Sequence, residues 1–318
     1  MKFQGVKNKA GFDAEVLHRS GYSHCMLCER ACGVDREAGE LGYCRQSSKI
    51  KIARAALHFW EEPIISGSSG SGAIFFSGCS LGCIYCQNKE ISRDGKGSEV
   101  SASVLADVML RLQNEGAHNI NLVTPTHAAP TVIESVSLAR HAGLDIPIVY
   151  NTAAYESEST LESLRETVDV FLPDLKYYRP QTASALSAAA SLPEISRKRI
   201  EKMVEIAGNA EIGSDGIMKR GVIVRILLLP AHVAEAKLNL KYLYEKYADK
   251  IYISLMSQYT PSEALPPPLN RRVTRAEYGE LVDYAVRLGV KNAFIQSFES
   301  AEKSFIPEFD NTGVPGNE

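Results

Sequence analysis

The sequence predicts an α/β protein built on a parallel sheet with helical crossovers, and three observations carry that prediction. From Ala73 onward, strand-length apolar runs alternate about six times with segments of helical period. Helical segments stop at glycines, as at Gly116, Gly143 and Gly289, where a left-handed residue can close a last turn. Polar residues with chemistry in them follow directly on the strand ends, which is where parallel α/β architectures keep their working groups. The pattern alone admits a complete or partial (β/α) barrel or a doubly wound open sheet.

The strand-like runs are AIFFSG (73–78), INLVT (120–124), IPIVYN (146–151), VDVFLPD (168–174), GVIVRILLL (221–229), KIYISLM (250–256) and, more weakly, NAFIQS (292–297). Between them lie VSASVLADVMLRLQNEG, APTVIESVSLARHAG, SESTLESLRET, a long helical stretch from about Gln181 to Gly208, AEAKLNLKYLYEKY and TRAEYGELVDYAVRLG. Upstream, residues 1–20 are a polar N-terminal segment. Residues 21–65 form a Cys-rich metal-binding segment that ends near ARAALHFW, an apolar stretch of strand or helix. SGSSGSG (66–72) reads as a flexible connection; a phosphate-cradling loop would follow a strand and open a helix, whereas this one precedes a strand. The α/β unit spans 66–298, and 299–318 reads as a loosely packed C-terminal tail.

With 318 residues, 45% of them hydrophobic, the chain has ample material for a core. A formal charge of −3 gives no general attraction to nucleic acid, so none is expected as a partner. The N-terminus lacks the apolar core of a signal peptide, and no segment reaches the ~18 apolar residues of a membrane span, so a cytoplasmic protein with no membrane contact is expected. In that compartment thiols stay reduced, and clustered cysteines argue for metal or redox chemistry over disulfides. All seven cysteines fall into two groups: Cys25, Cys28, Cys32 and Cys44, then Cys79, Cys83 and Cys86. Small buried hydrophobes scattered through a core would not leave residues 87–318 without one.

Cys79-x3-Cys83-x2-Cys86 supplies three thiolates on a tight loop, too few for a closed four-thiolate zinc site and matched to three irons of a cubane cluster. The fourth iron is left open, the mark of a catalytic metal that an outside ligand must reach. Gly78 and Gly82 let the backbone curl around such a cluster. Cys25-x2-Cys28-x3-Cys32-x11-Cys44 offers four thiolates, enough for a tetrahedral zinc site or a second iron–sulfur cluster, and spacing does not separate the two.

The three-cysteine loop, with aromatic Tyr85 just before the last cysteine and a place after the first barrel strand, resembles the radical S-adenosylmethionine superfamily. More narrowly, GELGYCR, ALHFWEEPIISG, GSGAIFFSGCSLGCIYCQNKEIS, TPTH, PDLKYY, KRGVIVRILLLP and LMSQYTP are similar to stretches of pyruvate formate-lyase activating enzyme-like proteins, over roughly residues 22–298. The resemblance implies a partial (β/α)6 TIM-like barrel carrying the small Cys-rich segment. It implies a 4Fe–4S cluster on Cys79, Cys83 and Cys86 that reductively cleaves S-adenosylmethionine to a 5′-deoxyadenosyl radical for hydrogen abstraction. An electron donor such as flavodoxin or ferredoxin goes with that chemistry. If the chain is an activase of a glycyl-radical enzyme, so does a protein substrate. Radical modification of a peptide or small metabolite, or a non-catalytic iron–sulfur electron carrier, are the alternatives.

The same resemblance places an S-adenosylmethionine pocket at the strand ends. Thr124, Thr126 and His127 stand where many superfamily members carry a Gly-Gly-Glu segment. His127 is read either as meeting the ligand or a substrate proton, or as a cap on the helix starting near Pro130. Lys176 of Asp174-Leu175-Lys176 stands where activating enzymes hold a lysine against the ligand carboxylate, and an ammonium point charge suits that role. Asn151 and Thr152 stand where those enzymes hold a monovalent cation, with Asn in place of an acid. Arg225 lies inside an apolar strand, where a guanidinium needs an anion such as Asp174 or a ligand carboxylate. Ser257, Gln258 and Tyr259 are placed to meet the adenine, with simple packing the alternative for Tyr259, and Tyr85 is counted among the cofactor-binding residues.

Overall fold

A computed structural model of the chain describes residues 21–261, 264–296 and 307–316. The polar segment 1–20, the last residue of NAFIQS with Phe298, and half of the expected tail (299–306 and 317–318) lie outside the described residues. In chain order the elements are β1 (Ile50–His58), α1 (Pro63–Ser66), β2 (Ser71–Phe76), α2 (Lys89–Ser92), β3 (Ser98–Val100), α3 (Ala102–Asn114) and β4 (Ile120–Val123). There follow α4 (Ala129–His141), β5 (Ile148–Thr152), α5 (Glu158–Ser163), β6 (Val170–Pro173), α6 (Pro180–Ser187), α7 (Leu192–Ala207), β7 (Glu211–Ile212), β8 (Met218–Leu227), α8 (Val233–Tyr247), β9 (Tyr252–Met256), α9 (Arg275–Leu288) and β10 (Ala293–Ile295).

The strands form one sheet in the order β10-β9-β8-β6-β5-β4-β2-β1-β3, with β7 paired to β8 off that path. Neighbours along the path from β2 to β10 are parallel, while β1 is antiparallel to β2 and β3 to β1. The path ends at β3 and β10, so among the described residues this is a partial barrel. Of the alternatives that periodicity leaves open, the barrel form is the one adopted.

Alternation along the strands sorts the two faces. Ile74, Phe76, Leu122, Tyr150, Phe171, Val224 and Leu255 point outward into one core shared with the helices. Val149, Val170, Leu172 and Ile223 point inward and pack with Ile65 of α1 in a second cluster. Each such buried side chain contributes about 1.5–3 kcal/mol of transfer free energy. The helices show their sequence signals: the Ser101 hydroxyl caps α3 by accepting from Val104 N at 3.3 Å. Thr274 and Glu277 make a reciprocal capping box on α9, which ends at left-handed Gly289.

Several expectations change. Of the two forms expected for ARAALHFW, strand is adopted through His58, where Arg54 to His58 pair with β2. SGSSGSG is a packed turn leading into a strand: His118 Nε2 accepts from Ser69 N at 3.2 Å, the Ser71 hydroxyl donates to Asn119 at 2.6 Å, and Ser71 and Gly72 already belong to β2. Residues 307–316, expected to be loose, lie along β1. Asn311 N donates to Ala53 O at 3.1 Å, Ala55 N donates to Thr312 O at 2.9 Å, and Phe309 is buried against Phe75. The long helical stretch from about Gln181 divides into α6 and α7 at left-handed Ala188.

Candidate active site

Parallel register brings the chemistry together. Asn151 lies beside Val123 of β4, and the bridge between Asp174 and Arg225 extends the β6–β8 pairing past the end of β6. Three neighbouring strands therefore deliver an amide, a carboxylate and a guanidinium to one rim. Arg225 Nε lies 2.8 Å from Asp174 Oδ1, Arg225 Nη2 lies 2.6 Å from Asn151 Oδ1, and Lys176 Nζ lies 2.7 Å from Asp174 Oδ2. Burial alone would raise the Asp174 pKa, but Arg225 and Lys176 outweigh it and hold the carboxyl below its usual range. Burial likewise opposes the Lys176 charge, and Asp174 reverses that effect.

Above this lattice a cavity of about 220 Å³ opens at the strand ends. A single water needs only ~10–15 Å³, so the space suits an organic ligand. The loop after β2 brings Cys79, Cys83, Cys86 and Tyr85 to it; Thr124 follows β4; β5 contributes Asn151 and Thr152, β8 contributes Arg225, and the segments just after β6 and β9 contribute Asp174, Lys176 and Gln258. Thr124 has φ +61, a left-handed conformation that a β-branched residue rarely adopts. Its N–H donates to Asn151 O at 2.8 Å, which ties that strained turn to the rim. Gln258 accepts from Gln296 at 3.2 Å, and Ser257 N donates to the same Gln296 side chain at 3.0 Å. Tyr259 packs edge-on against Tyr85, ring centroids 6.0 Å apart, and spends its hydroxyl on Leu269 O.

Each of the three loop sulfurs has a hydrogen-bonding neighbour: Leu81 N at 3.3 Å from Cys79, the Ser187 hydroxyl at 2.9 Å from Cys83 and the Ser92 hydroxyl at 3.3 Å from Cys86. Burial pushes the Cys79 thiol up to about 12 and raises that of Cys83. Such thiols stay neutral unless a metal displaces the proton. The loop fits only because of Gly78, whose φ is +93 and where a side chain would meet Gln46 Cγ at 2.5 Å and Cys44 O at 2.9 Å. Among the described residues no three ligand side chains converge on one ion. For three thiolates that each serve a different iron, convergence on a point is not required.

Three expected site residues, Thr126, His127 and Ser257, do not line the cavity. Thr126 does not line the cavity; its hydroxyl donates to Glu156 Oε1 at 2.7 Å, and the Thr152 hydroxyl donates to the same oxygen. His127 is 2% exposed and also away from the cavity; burial, with Arg36 nearby, drives its pKa down to about 3. It does not cap α4, which begins without a side-chain cap. A short 3-10 turn over 126–128 rotates both side chains beneath the rim.

Three residues with no sequence signal also line the site. His58, Trp60 and Glu61, from β1 and the loop after it, line the same cavity, and Glu61 Oε2 lies 3.4 Å from Arg225 Nη1. These residues precede the barrel strands and enter through antiparallel pairing, which no local period reveals.

Cys25 and Cys44 are buried, Cys28 is half-buried and Cys32 exposed, and all seven cysteines are free. Tyr43 N donates to Cys32 Sγ at 3.3 Å. This segment grips the barrel by arginines. Arg36, wholly buried, donates to His127 O at 2.7 Å and Gln46 O at 2.9 Å, and Arg30 donates to Ser80 O and Ala188 O, each at 2.8 Å. The four-cysteine segment is thus anchored beside the three-cysteine loop.

Residues 73–236 match the family model described as the Radical SAM superfamily. Uncharacterized protein MJ0674 of Methanocaldococcus jannaschii is 26% identical over 275 residues, covering 83% of this chain and 75% of that one. Among solved structures, a radical SAM methyltransferase from Sphaerobacter thermophilus superposes with a TM-score of 0.51 at 16% identity, over 71% of this chain and 66% of that one. SuiB of Streptococcus suis, bound to precursor peptide SuiA, gives a TM-score of 0.49 at 14% identity over 69% of this chain; the chain spans 46% of SuiB.

Proposed function

The chain belongs to the radical S-adenosylmethionine superfamily, and on that premise we propose that Cys79, Cys83 and Cys86 hold a 4Fe–4S cluster beside which S-adenosylmethionine binds for hydrogen abstraction. One observation carries the reading: three thiols, each with a hydrogen-bonding neighbour, share one cavity with the Asp174–Lys176–Arg225–Asn151 lattice. The donor set fits a cluster, since the sulfurs are soft ligands on a loop that glycine allows to curl. When bound, that cluster supplies the electron that splits the ligand's sulfonium to give a 5′-deoxyadenosyl radical.

The rest is the work of side chains. Lys176, kept charged by Asp174, presents an ammonium to a ligand carboxylate. Arg225 is spent on Asp174, Asn151 and Glu61, so it fixes the carboxylate that positions Lys176. Phe75, Leu227 and Met256 line the same cavity and exclude water, which protects a radical from quenching. A passive electron carrier gains nothing from a cavity of this size beside its cluster.

Within that chemistry the proposed role is activation of a glycyl-radical enzyme, supported by the activating-enzyme-like stretches from GSGAIFFSGCSLGCIYCQNKEIS to PDLKYY. Radical modification of a peptide or small metabolite is the second reading, and His58, Trp60 and Glu61 form the wall on which it would differ. Cys25, Cys28, Cys32 and Cys44 are proposed to hold a second metal, zinc or iron–sulfur, and a flavodoxin or ferredoxin is the proposed electron donor. Among the described residues no helix is long and apolar enough to cross a membrane.

The test is direct. Anaerobically reconstituted protein given dithionite and S-adenosylmethionine should form 5′-deoxyadenosine, and Cys83→Ala should abolish it; an equally active variant contradicts the assignment. Metal analysis of a Cys79/Cys83/Cys86 triple alanine variant then names the second metal from what is retained.

A further inference from the structure

Cys83 stands at the end of a chain of hydroxyls. Ser187 donates to its sulfur at 2.9 Å, the Tyr177 hydroxyl lies 2.6 Å from Ser187 Oγ, and the Tyr85 hydroxyl lies 2.7 Å from that of Tyr177. Ser187 is wholly buried and Tyr177 is 1% exposed, so water offers neither an alternative partner.

The direction of the chain follows from counting protons. A metal-bound thiolate accepts only, so Ser187 must give it its one hydrogen; Tyr177 must then give its own to Ser187, and Tyr85 to Tyr177. Three aligned hydroxyl bonds polarise one another in the same sense, toward the sulfur. The last residue of α6 is also held in place: Glu235 accepts from Tyr178 N and the Thr182 hydroxyl at the start of that helix, and Ile84 N donates to Leu186 O at 2.9 Å at its end.

Resting on the radical S-adenosylmethionine reading, we propose that Ser187, backed by Tyr177 and Tyr85, is a positioning residue that raises the reduction potential of the cluster on Cys79, Cys83 and Cys86. Reduction adds one electron to the cluster and none to the protein, and a hydrogen bond to sulfur stabilises the more negative state preferentially. The same chain turns the Tyr85 hydroxyl toward Tyr177, so Tyr85 meets the cavity with its ring.

The experiment uses the full chain, reconstituted anaerobically, with dithionite as reductant and the reduced cluster followed by electron paramagnetic resonance in a potentiometric titration. Ser187→Ala should lower the midpoint potential by the equivalent of about a tenfold change in the reduced-to-oxidised ratio, about 59 mV for one electron. Tyr177→Phe should shift it the same way by less, and Ser187→Thr should restore it. An unchanged potential in Ser187→Ala at full iron content overturns the proposal. If that variant fails to load iron, Tyr177→Phe decides, and an unchanged potential there overturns it equally. Should the parent protein's spectrum ignore added S-adenosylmethionine, the family chemistry fails while the potential comparison still reads out.

Discussion

Asp174 receives Arg225 on one carboxylate oxygen at 2.8 Å and Lys176 on the other at 2.7 Å, so a single half-buried acid orients both cations of the rim. Replacing Arg225 by methionine leaves Asp174 with one counter-charge in a half-buried site. Removing one charged partner from such a carboxylate costs about 1–3 kcal/mol. Chemical denaturation of Arg225→Met should show a loss of that order, and a stability within error of the parent would refute the lattice.

Gly78→Ala should weaken cluster loading more than it weakens the fold. A side chain at φ +93 meets the Cys44 carbonyl at 2.9 Å, a backbone atom that cannot swing aside, and the left-handed backbone alone costs roughly 1–2 kcal/mol. Iron per chain after reconstitution should fall, with circular dichroism close to that of the parent.

Glu62 sits in the barrel interior, where burial, opposed by Arg225, pushes its pKa up to about 7. A carboxyl raised in the folded state adds stability below its unfolded value, near ~4.3, and loses it as pH climbs through the folded value. Glu62→Gln should therefore gain on the parent as pH rises from about 5 to about 8, by up to about 3 kcal/mol. Denaturation of both proteins across that range checks the sign; a constant difference would refute it.

Thr126→Val should cost roughly 1–3 kcal/mol by removing one donor to buried Glu156. It should leave S-adenosylmethionine affinity unchanged, because the hydroxyl lies outside the cavity. Equilibrium dialysis with labelled ligand checks this, and a tenfold loss of affinity would return Thr126 to the site.

Much of this architecture can be read in the chain itself, because parallel strands bury both faces and leave apolar runs, and because strand ends carry Asn151, Asp174, Arg225 and Gln258 to one rim. Cys79, Cys83 and Cys86 are legible as a local pattern. Thr126 and His127 mislead because one short turn after β4 changes which side chains face the ligand. His58, Trp60 and Glu61 escape notice because they reach the cavity through long-range antiparallel pairing. Ser187 and Tyr177 escape it because ordinary helix-end and loop residues become a hydroxyl chain only once α6 packs on Cys83.

The most direct measurement is the electron paramagnetic resonance spectrum of the dithionite-reduced protein with and without S-adenosylmethionine. A cluster held by three thiolates with one iron open to ligand should give a signal that changes on adding the nucleoside and vanishes in Cys79→Ala. An iron signal indifferent to the nucleoside, or zinc in place of iron on those three cysteines, would contradict the account.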